Sequence, residues 1–330
     1  MNVYGKIKSI SATVALATTV MWSSVSAAAE QKVTMHLDFL VNGYHAPFYL
    51  ANEKGWYKEA GLSVTIRPGR GTADSIKNVA TGQAQFGFPD FGAVSKAIAD
   101  GIPITAVAAF SQTVPAGIIS FADKPINKPK DLEGKSIAVA PFGATAIMMP
   151  AFAKINGVDM SKVKVQTYNF GAMVPSFLTG KVDATVGYVF GEFHAAQKKS
   201  PKRKVLFLAM ADWGIGAYSN GIVVNNAFMK SNPKAVAAFV KASLRSLKYT
   251  LTHLDEAIAA TAKHTETPAA TLKEQLQLAL RNFDTPQARK LGWGTMTDDK
   301  WKATQDIQVE FNKQKKRVPL SAIYTNKFVK

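Results

Sequence analysis

Between residues 33 and 209 the chain twice alternates short apolar strands with short helices, and this alternation constrains the fold more than any other feature. The first block has strand patterns at 33–37, 63–67, 84–88 and 104–110, with helical stretches at 48–55, 72–81 and 93–99. The second has strand patterns at 136–140, 163–168, 182–188 and 205–209, with helices at 145–155 and 173–179. Helical connections return the chain to the edge it started from, so the strands they join run parallel. The expected class is therefore α/β, in two halves with mostly parallel sheets. Residues 117–121 and 219–226 read as extended crossings between the halves. Beyond them, 233–251, 255–263, 268–282 and 298–313 read as helices, and Pro233 stands at a helix start, where a missing N–H is harmless. The organisation expected is one lobe from 30–118 together with 221–330, and a second from 119–220.

The first 29 residues read as a signal peptide. Lys6 and Lys8 form a basic start, 10–21 an apolar run, and 25–29 a small-residue cleavage region. The apolar run is shorter than the ~20 residues a membrane span needs. Without cysteine there is no lipobox, no disulfide, no thiolate metal site and no cysteine nucleophile. The expectation is an exported, soluble protein. Its formal charge of +17 comes from 40 Lys and Arg against 23 Asp and Glu, and falls to +15 without Lys6 and Lys8. The basic residues are dispersed, and the run at 198–204 reads as an exposed loop, so the charge describes a solvated surface with a hint of anion steering rather than a nucleic-acid face.

Ligands of open α/β sheets bind at the carboxyl ends of the strands. From the first half those loops offer Asp38, Phe39, Asn42, His45, Pro89, Asp90 and Phe91. From the second they offer Phe142, Gly143, Ala144, Thr145, Tyr188, Glu192 and Trp213. Together these make flat apolar walls with a few directed polar groups, the usual makeup of a small-molecule site. Each has a plainer reading beside this one: Asp38 and Asn42 as turn residues, the aromatics as core, Thr145 as a helix cap. The helix start at 143–145 would suit an anionic group if the ligand carries one. Gly69-Arg70-Gly71 reads as a tight turn, because the third glycine of a dinucleotide fingerprint is missing and Asp74 occupies the next helix's first turn. There is no Gly-x-Ser-x-Gly elbow, His-Glu-x-x-His helix or Walker loop, and His36, His45, His194, His253 and His264 lack metal-site spacing. No cofactor and no metal are expected.

Leu37-Asp38-Phe39-Leu40-Val41-Asn42-Gly43-Tyr44-His45 resembles the Leu-Asp-Trp-x-x-Asn-x-x-His motif of periplasmic proteins that bind the pyrimidine precursor of thiamine, and of their fungal synthase relatives. Phe39 takes the Trp position, and Val41 and Pro47 also depart from the commonest pattern. The similarity continues through 54–62, and Gly69-x-Gly71-x-x-Asp74, the run at 82–87, Leu132-x-Gly134-Lys135 and the run at 180–184 resemble the punctuation of the sulfonate, nitrate and thiamine-precursor binding group. The two α/β halves, two crossings and helical tail fit the type II periplasmic binding protein architecture of that group. The resemblance implies a monomeric periplasmic receptor that closes on a small molecule and hands it to the permease subunits of an ABC importer. It implies an aminopyrimidine ligand, met by Asp38 or Glu192 and stacked on Phe39, Tyr188 or Trp213. A sulfonate, nitrate, aromatic carboxylate or flavin-like ring are the alternatives. An enzyme like the fungal synthase is the rival class, but that family's cysteine-rich segment has no counterpart in a chain without cysteine.

Overall fold

The computed structural model describes Met1, residues 30–141 and residues 144–330. The expected signal peptide falls outside the described residues, as do Phe142 and Gly143.

Among the described residues ten strands form two sheets of five. They are β1 (Gln31–His36), β2 (Leu62–Arg67), β3 (Phe86–Gly87), β4 (Ile104–Ala109), β5 (Ala116–Phe121), β6 (Ser136–Val139), β7 (Lys164–Thr167), β8 (Ala184–Tyr188), β9 (Val205–Ala209) and β10 (Gly221–Asn225). The first sheet has the order β2-β1-β3-β10-β4 and the second β7-β6-β8-β5-β9, the same arrangement twice. Within each, four strands point the same way, as helical connections require, and the fourth in order runs against both of its neighbours. That antiparallel strand is in each case the one that has just entered from the other lobe. It starts at the edge where the parallel strands end, so it must run the opposite way. β4 and β5 are buried along their whole length, which suits their uninterrupted small and apolar residues.

The crossings differ from expectation. Residues 117–121 are no linker but most of β5, a central strand bonded on both sides. Likewise β10 takes up most of 219–226. The chain passes between lobes in the segments just before these strands. There Ser219 N–H donates to the Ser111 carbonyl (3.3 Å) and Ser111 N–H to the Asn220 carbonyl (2.8 Å), so the two passages lie side by side.

The tail helices fall close to their expected places, at Pro233–Thr250, Leu254–Ala262, Ala269–Phe283 and Asp298–Phe311. Pro233–Thr250 covers the first sheet, with Phe239 stacked on Phe86 at 3.9 Å and on Tyr57 at 5.1 Å. Two tail helices also reach the second lobe. Glu274 of Ala269–Phe283 pairs with His194 (2.7 Å) and Lys198 (2.5 Å), and Glu310 of Asp298–Phe311 pairs with Lys154. The seam between the lobes is thus bridged by ion pairs on two flanks. Among the described residues no helix is long and apolar enough to cross a membrane.

Candidate functional site

The loop after β1 is built around Asp38. Its Oδ1 accepts from His45 Nε2 (2.8 Å), and its Oδ2 from the Tyr44 hydroxyl and from Asn220 Nδ2 (3.0 Å). Asn42 caps the short turn Gly43–His45: its side chain accepts from Tyr44 N–H (3.0 Å) while its own N–H donates to His45 Nδ1 (3.3 Å). With Nδ1 accepting, the ring proton is on Nε2, directed at Asp38, and the imidazole is neutral. His45 is fully buried, so it orients Asp38 and does not reach solvent. The glycine loop after β2 closes against the same segment, with Gly69 N–H on the Phe39 carbonyl (3.1 Å) and Gly71 N–H on the Asp38 carbonyl (2.7 Å). Those N–H groups are therefore occupied by protein, as a tight turn requires.

Asp90, after β3, caps the helix Phe91–Ala99 through Gly92 N–H (2.9 Å) and Ala93 N–H (3.3 Å) and accepts from the Ser219 hydroxyl (3.2 Å). Ser219 also reaches Asn220 Oδ1 (3.0 Å), and Asn220 reaches Asp38. A polar chain thus runs from Asp90 through the passage between the lobes to Asp38. Burial pushes the Asp90 carboxyl up to about 6, against the opposing pull of its hydrogen bonds.

This shift fixes a sign. The unfolded chain ionises Asp90 near its ordinary value of 3.8, while the folded protein keeps the proton until about pH 6. Stability from this group is therefore greatest below pH 4 and falls as pH rises to 6, by about 3 kcal/mol at most. In Asp90→Asn, which keeps the cap acceptor, this fall should vanish. Urea titrations from pH 4 to 7 check it, and an unchanged pH slope would contradict the assignment.

The second lobe brings Tyr188 and Glu192 to this place. One turn of π-helix at Val189–Phe193 follows β8 and folds Glu192 back, so that its Oε2 accepts Tyr188 N–H (2.8 Å). Its Oε1 takes no protein donor among the described residues. Burial raises the Glu192 carboxyl above the usual range. Burial foremost, with the charges of Asp90, Asp38 and Glu192, holds the Tyr188 hydroxyl well above its ordinary value. The lobes meet directly here, with the Tyr44 ring stacked on Phe190 at 4.6 Å.

Of the residues expected from the sequence, Asp38, His45, Asp90, Tyr188 and Glu192 come together. Phe39 stands at the rim, 53% exposed beside Leu40. Pro89 is buried, its carbonyl accepting Gly221 N–H (3.3 Å). Ala144 and Thr145 form the first turn of the helix Ala144–Ile155, Thr145 buried. Two residues lie elsewhere. Phe91 is fully buried and stacks on Trp301 at 4.8 Å in the core of the first lobe. The Trp213 carbonyl binds Asn156, beyond the far end of the Ala144–Ile155 helix and about 16 Å along its axis from Thr145. Tyr44, Phe190, Ser219 and Asn220 were missed. Two grooves, of about 580 and 380 Å³, lie on the flanks of the seam and not at these residues. Among the described residues no group of three or more Asp, Glu or His converges as a metal site.

The profile of the family described as NMT1/THI5 like matches residues 42–257. The chain belongs to this family. Among curated proteins, it is 26% identical to the riboflavin-binding protein RibY of Chloroflexus aurantiacus, over 91% of this chain and 86% of that one. It is 23% identical to the formylaminopyrimidine-binding protein of Halalkalibacterium halodurans, over 69% of each. It is also 25% identical, over 67% of each, to the 4-amino-5-hydroxymethyl-2-methylpyrimidine phosphate synthase of Aspergillus parasiticus. In fold it is similar to the periplasmic aliphatic sulphonate binding protein SsuA of Escherichia coli, with a TM-score of 0.70 and 14% identity over 91% of this chain and 94% of that one. The NMT1/THI5-like chain therefore has a periplasmic-binding-protein fold with a helical C-terminal region.

Proposed function

We propose that this NMT1/THI5-like protein is an exported solute receptor of an ABC importer, and that it binds a small heteroaromatic molecule between its lobes without transforming it. The observation that carries the reading is the meeting of Asp38, Asp90, Tyr188 and Glu192 at the seam, each held by the backbone or by other side chains. Asp38 has three protein donors and serves as the frame. Glu192, with one oxygen unclaimed, is the better partner for ring N–H groups. Tyr188, Phe190 and the exposed Phe39 supply faces for stacking, worth about 0.5–1.5 kcal/mol beyond burial. Relatives named for riboflavin and formylaminopyrimidine binding support a flat, nitrogen-rich ring. The leader pattern at 1–29 supports export. The lobes are proposed to divide at the passages before β5 and β10 and to hinge there.

Small-angle scattering with riboflavin or formylaminopyrimidine tests the closure. A saturating ligand should reduce the radius of gyration, and an unchanged radius with bound ligand would remove the hinge from the account. Relatives named as pyrimidine synthases favour an enzyme as the second reading. Release of ligand unchanged after long incubation distinguishes receptor from enzyme.

The flanking ion pairs lead to a further expected outcome. Glu274 and Glu310 contact the second lobe from the tail, so they stabilise the closed arrangement. Glu274→Gln and Glu310→Gln should each weaken ligand affinity about 2- to 5-fold, and less at high salt. Titrations at two ionic strengths check this, and equal affinities would show that the pairs play no part in closure.

A further inference from the structure

We propose that the cleft accepts its heteroaromatic ligand only without an anionic substituent, so that the free ring compound is bound and its phosphate ester is rejected. This inference rests on the reading of the seam as the ligand site.

Hydrogen bonds through Ser219 and Asn220 join Asp90 to Asp38. Glu192 accepts Tyr188 N–H, and the Tyr188 ring meets Phe190 (5.6 Å), which stacks on Tyr44 (4.6 Å), the ring whose hydroxyl donates to Asp38, so three carboxyl groups share this place. The donors that satisfy them are all uncharged: the Tyr44 hydroxyl, the Asn220 amide, the neutral His45 ring, the Ser219 hydroxyl and backbone N–H groups. Among the described residues no lysine or arginine ion-pairs with any of the three. Positions 142 and 143 are Phe and Gly and carry no charge. Arg70, on the loop that bonds to the Asp38 backbone, is exposed and bonded to none of the carboxylates.

A second negative charge brought beside such a cluster is repelled, strongly so where water is excluded. The start of the Ala144–Ile155 helix offers about half an elementary charge in return, less than one full carboxylate charge. A neutral ring meets no such barrier. Its N–H groups can donate to the unclaimed Glu192 oxygen, and its faces can rest on the aromatic side chains. The similarity to a sulphonate-binding protein, at 14% identity, concerns the fold and leaves the charge of the ligand open.

The test is calorimetry on the full chain with two matched pairs, riboflavin with riboflavin 5′-phosphate and hydroxymethylpyrimidine with its phosphate, and with an alkanesulfonate. The neutral member of at least one pair should bind, and its phosphate should bind about 100-fold more weakly or worse. Glu192→Gln keeps an acceptor for Tyr188 N–H and cannot ionise, so it should narrow the gap between the two members by up to about tenfold. A phosphate that binds as well as its neutral partner would overturn the charge exclusion and leave the heteroaromatic reading standing. Binding of the alkanesulfonate alone, or of none of the compounds, would overturn the heteroaromatic reading and this inference with it.

Discussion

Asp38→Ala should lower the stability of the folded protein by about 3–5 kcal/mol, because it leaves three donors without an acceptor in a place closed to water. The three are the Tyr44 hydroxyl, His45 Nε2 and Asn220 Nδ2, and Asp38, whose carboxylate they share, is 9% exposed as a residue. Each stranded donor costs about 1–3 kcal/mol, and the costs are not additive, since Tyr44 and His45 can shift together. Asp38→Asn retains one acceptor oxygen and should cost less, while forcing its amide against one of the donors. Denaturant unfolding measures both. A loss under about 1 kcal/mol for the alanine variant would show that the loop reorganises freely and that Asp38 is no frame.

Gly43→Val should be comparably severe, for a steric reason. A Cβ at Gly43 would stand 2.0 Å from the Leu272 carbonyl oxygen and 2.7 Å from the Leu276 nitrogen. Both atoms are backbone of the helix Ala269–Phe283, which cannot rotate away as a side chain can. Gly43 N–H also donates to Gln275 Oε1 (3.0 Å), tying the first loop to the same helix. The substitution must separate the two, at about 3 kcal/mol or more, and it should displace Tyr44 and His45 as well. Gly171→Ala is the control: its Cβ meets only Asn169 Oδ1 at 3.6 Å, so the change should stay within about 1 kcal/mol. Similar losses at both positions would contradict the close packing of the loop on the tail.

Much of this architecture is legible in the chain because strand and helix have different periods and connections between them are short. The tail helices were readable for the same reason: Val236, Phe239, Val240 and Leu247 recur on one face and are buried. The crossings were not, since a linking segment and a central strand are both extended and apolar; only the hydrogen bonds of β5 to β8 and β9 tell them apart. At the site, Asp38 and Asp90 could be found from their place after strands. Phe91 follows Asp90 directly, yet the helix that Asp90 caps turns its ring toward Trp301. Trp213 also follows a strand, and its short helical turn carries it to Asn156. Asn220 lies 182 positions from Asp38, and nothing local to Ser219-Asn220-Gly221 announces the bond between them. Tyr44 stood within the motif, but its ring meets Phe190 of the other lobe, and nothing local announces that contact.

The most direct test of the receptor reading is mass spectrometry of whatever is released when the protein, purified from its native compartment, is denatured. A single uncharged, nitrogen-rich ring compound in near-stoichiometric amount is the expected result. Recovery of an alkanesulfonate or a phosphate ester in that amount would contradict the account.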